Sequence, residues 1–441
     1  MIQPAAKNPL PLSPKNTTIS FYTLGCRLNQ SETAVIQNSF QLEGYDIVNF
    51  EQPADIVVIN TCTVTEHGDA DTRRLVYKIN RLNPQARIAL IGCQAQIQKE
   101  KLTQLPNVRW VVGNAQKMDL VAILKSLKDS DRPRVITPAI PRKNFTIPVA
   151  GIDRYHTRAN LKIQDGCDFF CSFCEIPYAR GRARSRVFAD ILLEAKTLVA
   201  AGHKEIILTG INLGTYREAG KNILDVVNGL EQISGLERIR ISSIEPTTIP
   251  LALIQKMARP SKLCRYLHIP LQSASNQILL KMGRKYSAEE FQQFIQNVFQ
   301  KVPEVCIGTD TIVGFPGETD EHFRETYDRL CEWPIHYIHV FSYSKRLLAK
   351  SKDFTNEVSP TVIQKRSQVL RELSLRKRRM FYGQGVGTEQ TVLFEEEKNG
   401  YWTGWTDNYI RVKVLSPDNL ANRSLIVRLI SVEDKDVLGS Y

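Results

Sequence analysis

The stretch Asn160-Leu-Lys-Ile-Gln-Asp-Gly-Cys-Asp-Phe-Phe-Cys-Ser-Phe-Cys174 joins a short β-rich run, residues 160–164, to a loop carrying three closely spaced cysteines. Cys167, Cys171 and Cys174 are spaced C-x3-C-x2-C. No histidine or fourth cysteine lies at the usual zinc-ligand spacing, so a closed tetrahedral zinc is disfavoured. Three soft thiolates on one loop instead suit a [4Fe–4S] cluster with one iron left open to a substrate or cofactor.

Downstream, five further β-rich runs, at 205–209, 238–242, 266–270, 306–313 and 337–341, alternate with helical patterns. One of these opens on a capping box, Ser287 with Glu290, followed by an apolar face of Phe291, Phe294, Ile295, Val298 and Phe299. Six βα units are too few for a closed eight-stranded barrel. They predict an open, partial (β/α)6 barrel with its site at the carboxyl ends of the strands, where the cysteine loop lies. Beyond it, a helical stretch at 361–380 carries Arg366, Arg371, Arg376, Lys377, Arg378 and Arg379, and Gly383, Gly385 and Gly387 then read as a flexible connection. The last 55 or so residues alternate apolar and polar with turn signals at 398–400 and 416–419, which predicts a small all-β barrel of a kind often used to hold RNA.

Upstream, residues 126–152 are rich in Asp, Arg, Lys and proline (Pro133, Pro138, Pro141, Pro148), so an extended linker is expected there. Before it, strand patterns at 18–24, 55–60 and 87–91 alternate with helical ones at 31–42 and 70–82, which predicts an α/β domain on a parallel sheet. Cys26, Cys62 and Cys93 each fall just past a predicted strand end, the edge where open α/β sheets place their sites, so three cysteines spread over the sequence can converge. The expected organisation is an α/β domain at 17–128, a linker at 129–152, the partial barrel at 153–382 and the terminal β-barrel at 383–441.

The 441 residues are 42% hydrophobic and 24% charged, which excludes collagen, coiled coil and wholesale disorder. An excess of 58 Lys and Arg over 46 Asp and Glu gives +12 and favours a polyanionic partner. Nine cysteines with no export signal argue for metal chemistry over disulfides, and Cys264, Cys306 and Cys331 read as buried small side chains. Residues 1–16 are polar and Pro-rich, and no run nears the roughly 18 apolar residues of a membrane span. A cytoplasmic location with no membrane partner is expected.

The segment Asp165-Gly-Cys-Asp-Phe-Phe-Cys-Ser-Phe-Cys-Glu-Ile-Pro-Tyr-Ala-Arg-Gly181 resembles the radical S-adenosylmethionine (SAM) enzymes and, within them, the methylthiotransferases. The resemblance covers nearly the whole chain. It includes Phe21-Tyr-Thr-Leu-Gly-Cys-Arg-Leu-Asn-Gln30, Asn60-Thr-Cys-Thr-Val-Thr65, Ile91-Gly-Cys-Gln94, His268-Ile-Pro-Leu-Gln-Ser273, Asp310-Thr-Ile-Val-Gly-Phe-Pro-Gly-Glu-Thr319 and a terminal barrel like the TRAM RNA-binding domain. It implies that Cys167, Cys171 and Cys174 hold the [4Fe–4S] cluster that binds SAM and that Cys26, Cys62 and Cys93 hold a second, auxiliary cluster, both facing one cavity. No catalytic residue beyond these ligands is implied. In the implied mechanism an electron from the first cluster cleaves SAM to methionine and a 5′-deoxyadenosyl radical, and the auxiliary cluster carries a methylated sulfur whose methyl comes from a second SAM. Radical chemistry is what an unactivated aromatic carbon requires.

Gly25-Cys-Arg-Leu-Asn-Gln30 is similar to the subgroup acting on N6-threonylcarbamoyladenosine beside the tRNA anticodon. Relatives acting on N6-isopentenyladenosine more often have Gly-Cys-Gln-Met-Asn there, and a third group modifies a ribosomal-protein aspartate. The implied partners are tRNA, an electron donor of flavodoxin or ferredoxin type, and a sulfur source. A non-catalytic, metal-stapled RNA-binding protein is the alternative of another class. Candidate SAM contacts are Asn212, Ser243, Glu245 and Gln272, with Gly210 and Gly214 as positions of close backbone approach. Candidate RNA contacts are Arg180, Arg182, Arg184 and Arg186, alternating along an extended segment, and Arg376, Lys377, Arg378 and Arg379. The chain departs from the family's pattern at Leu347-Leu-Ala349, where relatives commonly have Gly-Thr, and at Glu175, where an apolar residue is commoner.

Overall fold

The computed structural model describes residues 17–126, 132–152 and 156–441; the polar leader at 1–16, the start of the expected linker and the first three residues of the expected partial barrel lie outside them. Contacts divide the chain into two units. The first is the chain up to Pro141 with Val149–Gly151 and Tyr178–Gly181, and the second is the remainder.

In the first unit, β1 (Thr18–Thr23), β2 (Asp46–Ile47), β3 (Ile56–Thr61), β4 (Arg87–Gly92), β5 (Val108–Val112) and β6 (Arg134–Ile136) form one parallel sheet in the order β2-β1-β3-β4-β5-β6. β3 is buried on both faces, as an uninterrupted apolar run in a parallel sheet requires. Ile56 and Val58 enter a core with Phe21, Phe40 and Trp110, while Val57 and Ile59 enter another with Val76, Ile79 and Leu90. β6 lies within the expected linker. The prolines excluded helix there, and the extended chain paired with β5 as an edge strand.

The second unit begins with β7 (Ala159–Lys162) and the short antiparallel pair β8 (Gln164–Asp165) and β9 (Arg184–Ser185). Then come β10 (Glu205–Thr209), β11 (Arg238–Ile241), β12 (Tyr266–His268), β13 (Cys306–Val313) and β14 (Tyr337–Ser342). These strands form two parallel triplets, β7-β10-β11 and β12-β13-β14, joined by Ile239↔Leu263 bridging and by Ile244 N–H donating to His268 O at 3.2 Å. The arc is thus the open six-stranded one. Helices cover its outer face, among them Ala288–Lys301, whose Ser287–Glu290 capping box is formed and whose Phe291, Ile295 and Val298 are buried. Phe299, expected on that face, is 45% exposed because its position has rotated past the contact stripe.

The helix Pro360–Gly385 continues through Gly383 and ends on Gly385, so of the expected connection only Gly387, at a left-handed φ of +88°, lies beyond it. A Cβ on Gly385 would lie 3.0 Å from Ile410 and 3.1 Å from Leu429, so this glycine serves close packing. The chain then closes a barrel, β15-β16-β17-β19-β18, from β15 (Glu389–Lys398), β16 (Tyr401–Trp405), β17 (Arg411–Leu415), β18 (Ser424–Glu433) and β19 (Asp436–Ser440). Its core residues Phe394, Ile410, Val412 and Val427 are continuous with Tyr266, Cys306 and Tyr337 at the amino ends of β12–β14. Cys264 and Cys306 are buried as expected, but Cys331 is exposed near the end of a helix. No helix among the described residues is long and apolar enough to cross a membrane.

Candidate active site

In the first sheet the order reverses between β1 and β3, and a crevice opens at the carboxyl ends of such strands. Cys26 is the N-cap of the helix Arg27–Leu42 after β1, Cys62 directly follows β3, and Cys93 opens the helix Cys93–Ile97 after β4. The three converge closely enough that Cys93 acts on the ionisation of both Cys26 and Cys62, and Cys26 on that of Cys62. Cys26 is open to solvent on one side yet densely surrounded, and burial raises its thiol; burial pushes Cys62 up to about 12. Gly25 lets the backbone pass here, since a Cβ on it would lie 2.7 Å from the Cys62 Sγ. The Asn114 amide donates to the Cys93 Sγ at 3.5 Å and to Ala179 O at 2.7 Å.

Beside this triad lies a buried charge cluster that sequence reading missed. Arg180 donates to both Glu32 carboxylate oxygens at 3.0 Å and to the Asn29 Oδ1 at 2.5 Å, and Lys117 pairs with the same Glu32. Arg180 lowers the thiol pKa of Cys26 and Cys62. Arg180 is therefore not on an RNA-facing strand. It ends the helix Ile176–Arg180, fully buried, because its charge is needed inside. Arg186 is likewise buried, on Asp190 and Glu194, and Arg184 pairs with Asp165 at 3.1 Å. Of the alternating four, only Arg182 is half exposed, paired with Asp168 at 3.3 Å.

In the second unit the loop after β7 and β8 holds Cys167, Cys171 and Cys174. Gly166 and Phe170 take positive φ to make the turns, and Cys174 N–H donates to Cys171 O at 3.0 Å. The Phe169 N–H reaches the Cys167 Sγ at 3.5 Å, and the Arg284 guanidinium reaches the Cys171 Sγ at 3.4 Å. Burial pushes Cys167 up to about 11 and raises Cys171 and Cys174. Desolvated thiols hold their protons until a metal displaces them. All six cysteines are free, and among the described residues neither triad has its sulfurs all within 4.8 Å of one another. A single tetrahedral zinc, with Zn–S near 2.3 Å, would need sulfurs about 3.8 Å apart, so a ligand larger than one ion suits both.

Two domain families match this chain: the Radical SAM superfamily over residues 161–330 and "Uncharacterized protein family UPF0004" over residues 18–113. The threonylcarbamoyladenosine tRNA methylthiotransferase MtaB of Aquifex aeolicus is 38% identical over 402 residues, 90% of this chain and 96% of that protein. This chain belongs to the radical SAM methylthiotransferase family. The tRNA-2-methylthio-N(6)-dimethylallyladenosine synthase of Lawsonia intracellularis is 32% identical over 93% of this chain and 95% of its own. Among solved structures, the radical SAM methyltransferase TsrM of Kitasatospora setae shares the fold, with a TM-score of 0.55 at 14% identity over 74% of this chain and 73% of that one.

The methylthiotransferase uses SAM and [4Fe–4S] clusters. At the carboxyl ends of β10–β12 the structure gathers the expected polar residues. Asn212 accepts from Thr248 at 2.9 Å while its buried Nδ2 has no partner, a donor left for an incoming acceptor. Glu245 is paired with Arg284 at 3.2 Å, the same arginine that touches Cys171. Gln272 takes a left-handed φ of +73° while its N–H donates to Asp310 O and its carbonyl accepts from the Ile312 N–H, and Ser243 lies just past β11. Gly210 and Gly214 already have internal reasons to be glycine: a Cβ would strike Gln164 and Leu213 at the first and Thr248 at the second. Gln164, a residue sequence reading passed over, orients this edge by accepting the Ile211 and Asn212 N–H groups at 2.8 and 3.0 Å.

The two departures from the family's pattern meet. The buried Glu175 accepts from the Leu348 N–H at 2.7 Å and from Arg346 at 3.2 Å, holding in place the segment that lacks Gly-Thr. Ser351 N–H then donates to Ser172 O in the cysteine loop at 2.8 Å, so the altered turn braces that loop.

The basic helix divides. Lys377 caps the Cys331 and Trp333 carbonyls at 2.9 Å, Arg376 leans on Tyr327, and Arg379 approaches Asp434 at 3.6 Å. Arg378 lies over the Tyr337 ring. The remaining group missed from sequence is His268, Asp310 and His339, one from each of β12, β13 and β14. Asp310 accepts from His268 at 2.8 Å and lies 3.4 Å from His339. The parallel register sets Asp310 directly beside His339, which only the strand pairing reveals.

Proposed function

We propose that this enzyme adds a methylthio group to C2 of N6-threonylcarbamoyladenosine at position 37 of tRNA. The observation that carries the reading is the pair of thiol triads, one at the switch point of the first sheet and one after the first strand of the arc, in a chain that is 38% identical to a protein named for that modification. Cys167, Cys171 and Cys174 hold the cluster that binds SAM, and Cys26, Cys62 and Cys93 hold the auxiliary cluster. When bound, these groups supply the one-electron chemistry and the sulfur that an aromatic C–H without a leaving group demands.

The chain's own residues do the positioning. Arg284 links Cys171 to Glu245, Asn212 offers its Nδ2 at the SAM edge, and Arg180, which lowers the thiol pKa of Cys26 and Cys62, favours thiolates at the first triad. An electron donor of flavodoxin or ferredoxin type, a sulfur source and a cytoplasmic setting complete the reading. Nucleoside mass spectrometry of tRNA with and without the gene tests it: loss of 2-methylthio-N6-threonylcarbamoyladenosine is expected. Loss of the methylthio derivative of N6-isopentenyladenosine, or unchanged tRNA beside an altered ribosomal protein, would replace it with one of the family's other substrates.

A further inference from the structure

At the amino ends of β12–β14, a cavity of about 160 Å³ lies where the arc meets the terminal barrel. Tyr337, Phe381, Trp405 and Tyr409 wall it with aromatic rings, and its polar lining includes His339 and Arg378 but no carboxylate. Arg378 is half-buried with its guanidinium 5.2 Å from the Tyr337 ring centre, and among the described residues it has no ion pair. Its neighbours in the basic helix are committed elsewhere. His339 is exposed toward this space and is held from behind by Asp310, which also anchors His268; His268 in turn bonds the Tyr337 hydroxyl at 3.0 Å. The neighbouring His336 is neutral, its pKa brought down to about 4 by burial, and spends its Nδ1 accepting the Ile307 N–H.

An aromatic-walled cavity with an unpaired guanidinium and an oriented imidazole is built for an oxyanion carried on a flat or short organic arm. Behind His339 a succession of side chains, outside the cavity lining, leads toward the carboxyl ends of the strands: Asp310 lies within electrostatic reach of Glu245, Glu245 pairs with Arg284, and Arg284 touches Cys171. The threonylcarbamoyl arm of the proposed substrate ends in a carboxylate, whereas an isopentenyl arm is wholly apolar and would leave Arg378 unpaired and desolvated.

We propose that this cavity receives the carboxylate of the N6-threonylcarbamoyl arm, with Arg378 as the ion-pairing residue and His339, positioned by Asp310, as the second donor. This rests on the substrate reading above. The same oxyanion chemistry could come from an RNA backbone phosphate, and the test separates the two. Equilibrium binding of the cluster-loaded enzyme is measured with one tRNA in two forms, carrying N6-threonylcarbamoyladenosine or unmodified adenosine at position 37. For Arg378→Gln, the preference of the parent enzyme for the modified form should fall by on the order of tenfold or more, the worth of a charge-assisted hydrogen bond. Arg378→Lys should keep part of it, and His339→Gln should lose less than Arg378→Gln. An equal loss for both tRNAs would assign the cavity to a phosphate and overturn the carboxylate reading. No change in either would remove the cavity from the substrate surface. Thermal melting of each variant identifies any loss due to unfolding, and Arg378→Met, which keeps the volume, then replaces a variant that fails to fold. If the parent enzyme itself shows no preference and does not modify the threonylcarbamoylated tRNA, it is the function reading that has failed.

Discussion

Gly25 answers to two constraints at once. Its φ of +89° lies where a Cβ costs about 1–2 kcal/mol, and that Cβ would also press on the Cys62 Sγ at 2.7 Å. Gly25→Ala should therefore displace one thiol of the first triad and leave the second untouched. Iron analysis of the anaerobically purified variant is expected to show one cluster per chain in place of two, and full loading would remove Gly25 from the ligand geometry. The positions of six cysteines were legible, three on one loop from tight spacing and three past the ends of strands. The arginines at 180 and 186 were not, because alternation in sequence says nothing about which carboxylate waits inside. Glu32, the partner of Arg180, stands 148 positions away and gives no local sign. The His268–Asp310–His339 group was hidden for the same reason, its members being 42 and 29 positions apart on strands whose register fixes their meeting.

Elements were read more securely than their ends. The six strands of the arc follow from short β-rich runs between amphipathic helices, and the first sheet from apolar runs buried on both faces. Glycine misled at the helix Pro360–Gly385, where propensity favoured a break but packing against Ile410 and Leu429 held the last turn. Basic residues on that helix misled in another way, since charge density alone cannot distinguish a phosphate contact from a helix cap. Lys377 binds two carbonyls at the carboxyl end of the helix Asp320–Glu332, and burial lowers its pKa. Lys377→Met is expected to cost about 1–2 kcal/mol of stability through two lost charge-assisted bonds, read as a lower denaturant midpoint, while the salt dependence of tRNA binding stays unchanged. A flattened salt slope would place this lysine on the RNA instead.

On the scale of the whole second unit, the terminal barrel is fixed to the arc by arginines on β11 that reach across to its backbone. Arg238 donates to Trp405 O and Thr391 O at 2.7 and 2.6 Å, and Arg240 donates to Asp407 O and Thr406 O at 2.9 and 3.0 Å. Both need a counter-charge, and the fully buried Glu205 on β10 supplies it, 2.7 Å from Arg240. Burial alone would raise the Glu205 pKa, but Arg240 and Arg158, with Arg238, more than reverse this and hold it near 2 against an ordinary 4.5. A depressed carboxyl stabilises the fold above its unfolded pKa, so the contribution is complete above about pH 4.5 and is lost as pH falls toward 2; the shift corresponds to about 3 kcal/mol. Glu205→Gln has the shape of the protonated acid and takes from Arg240 its bonded carboxylate, so at neutral pH it should destabilise the unit by about 3–5 kcal/mol. Trp402 and Trp405 lie in the terminal barrel, and denaturant unfolding followed by tryptophan emission compares the two proteins directly. The gap between them is expected to close between pH 4.5 and 2, because the parent enzyme acquires by protonation what the variant has by substitution. A gap that stays constant over that range would mean that the barrel is held by its apolar contacts with Tyr266 and Tyr337 and not by the buried charges.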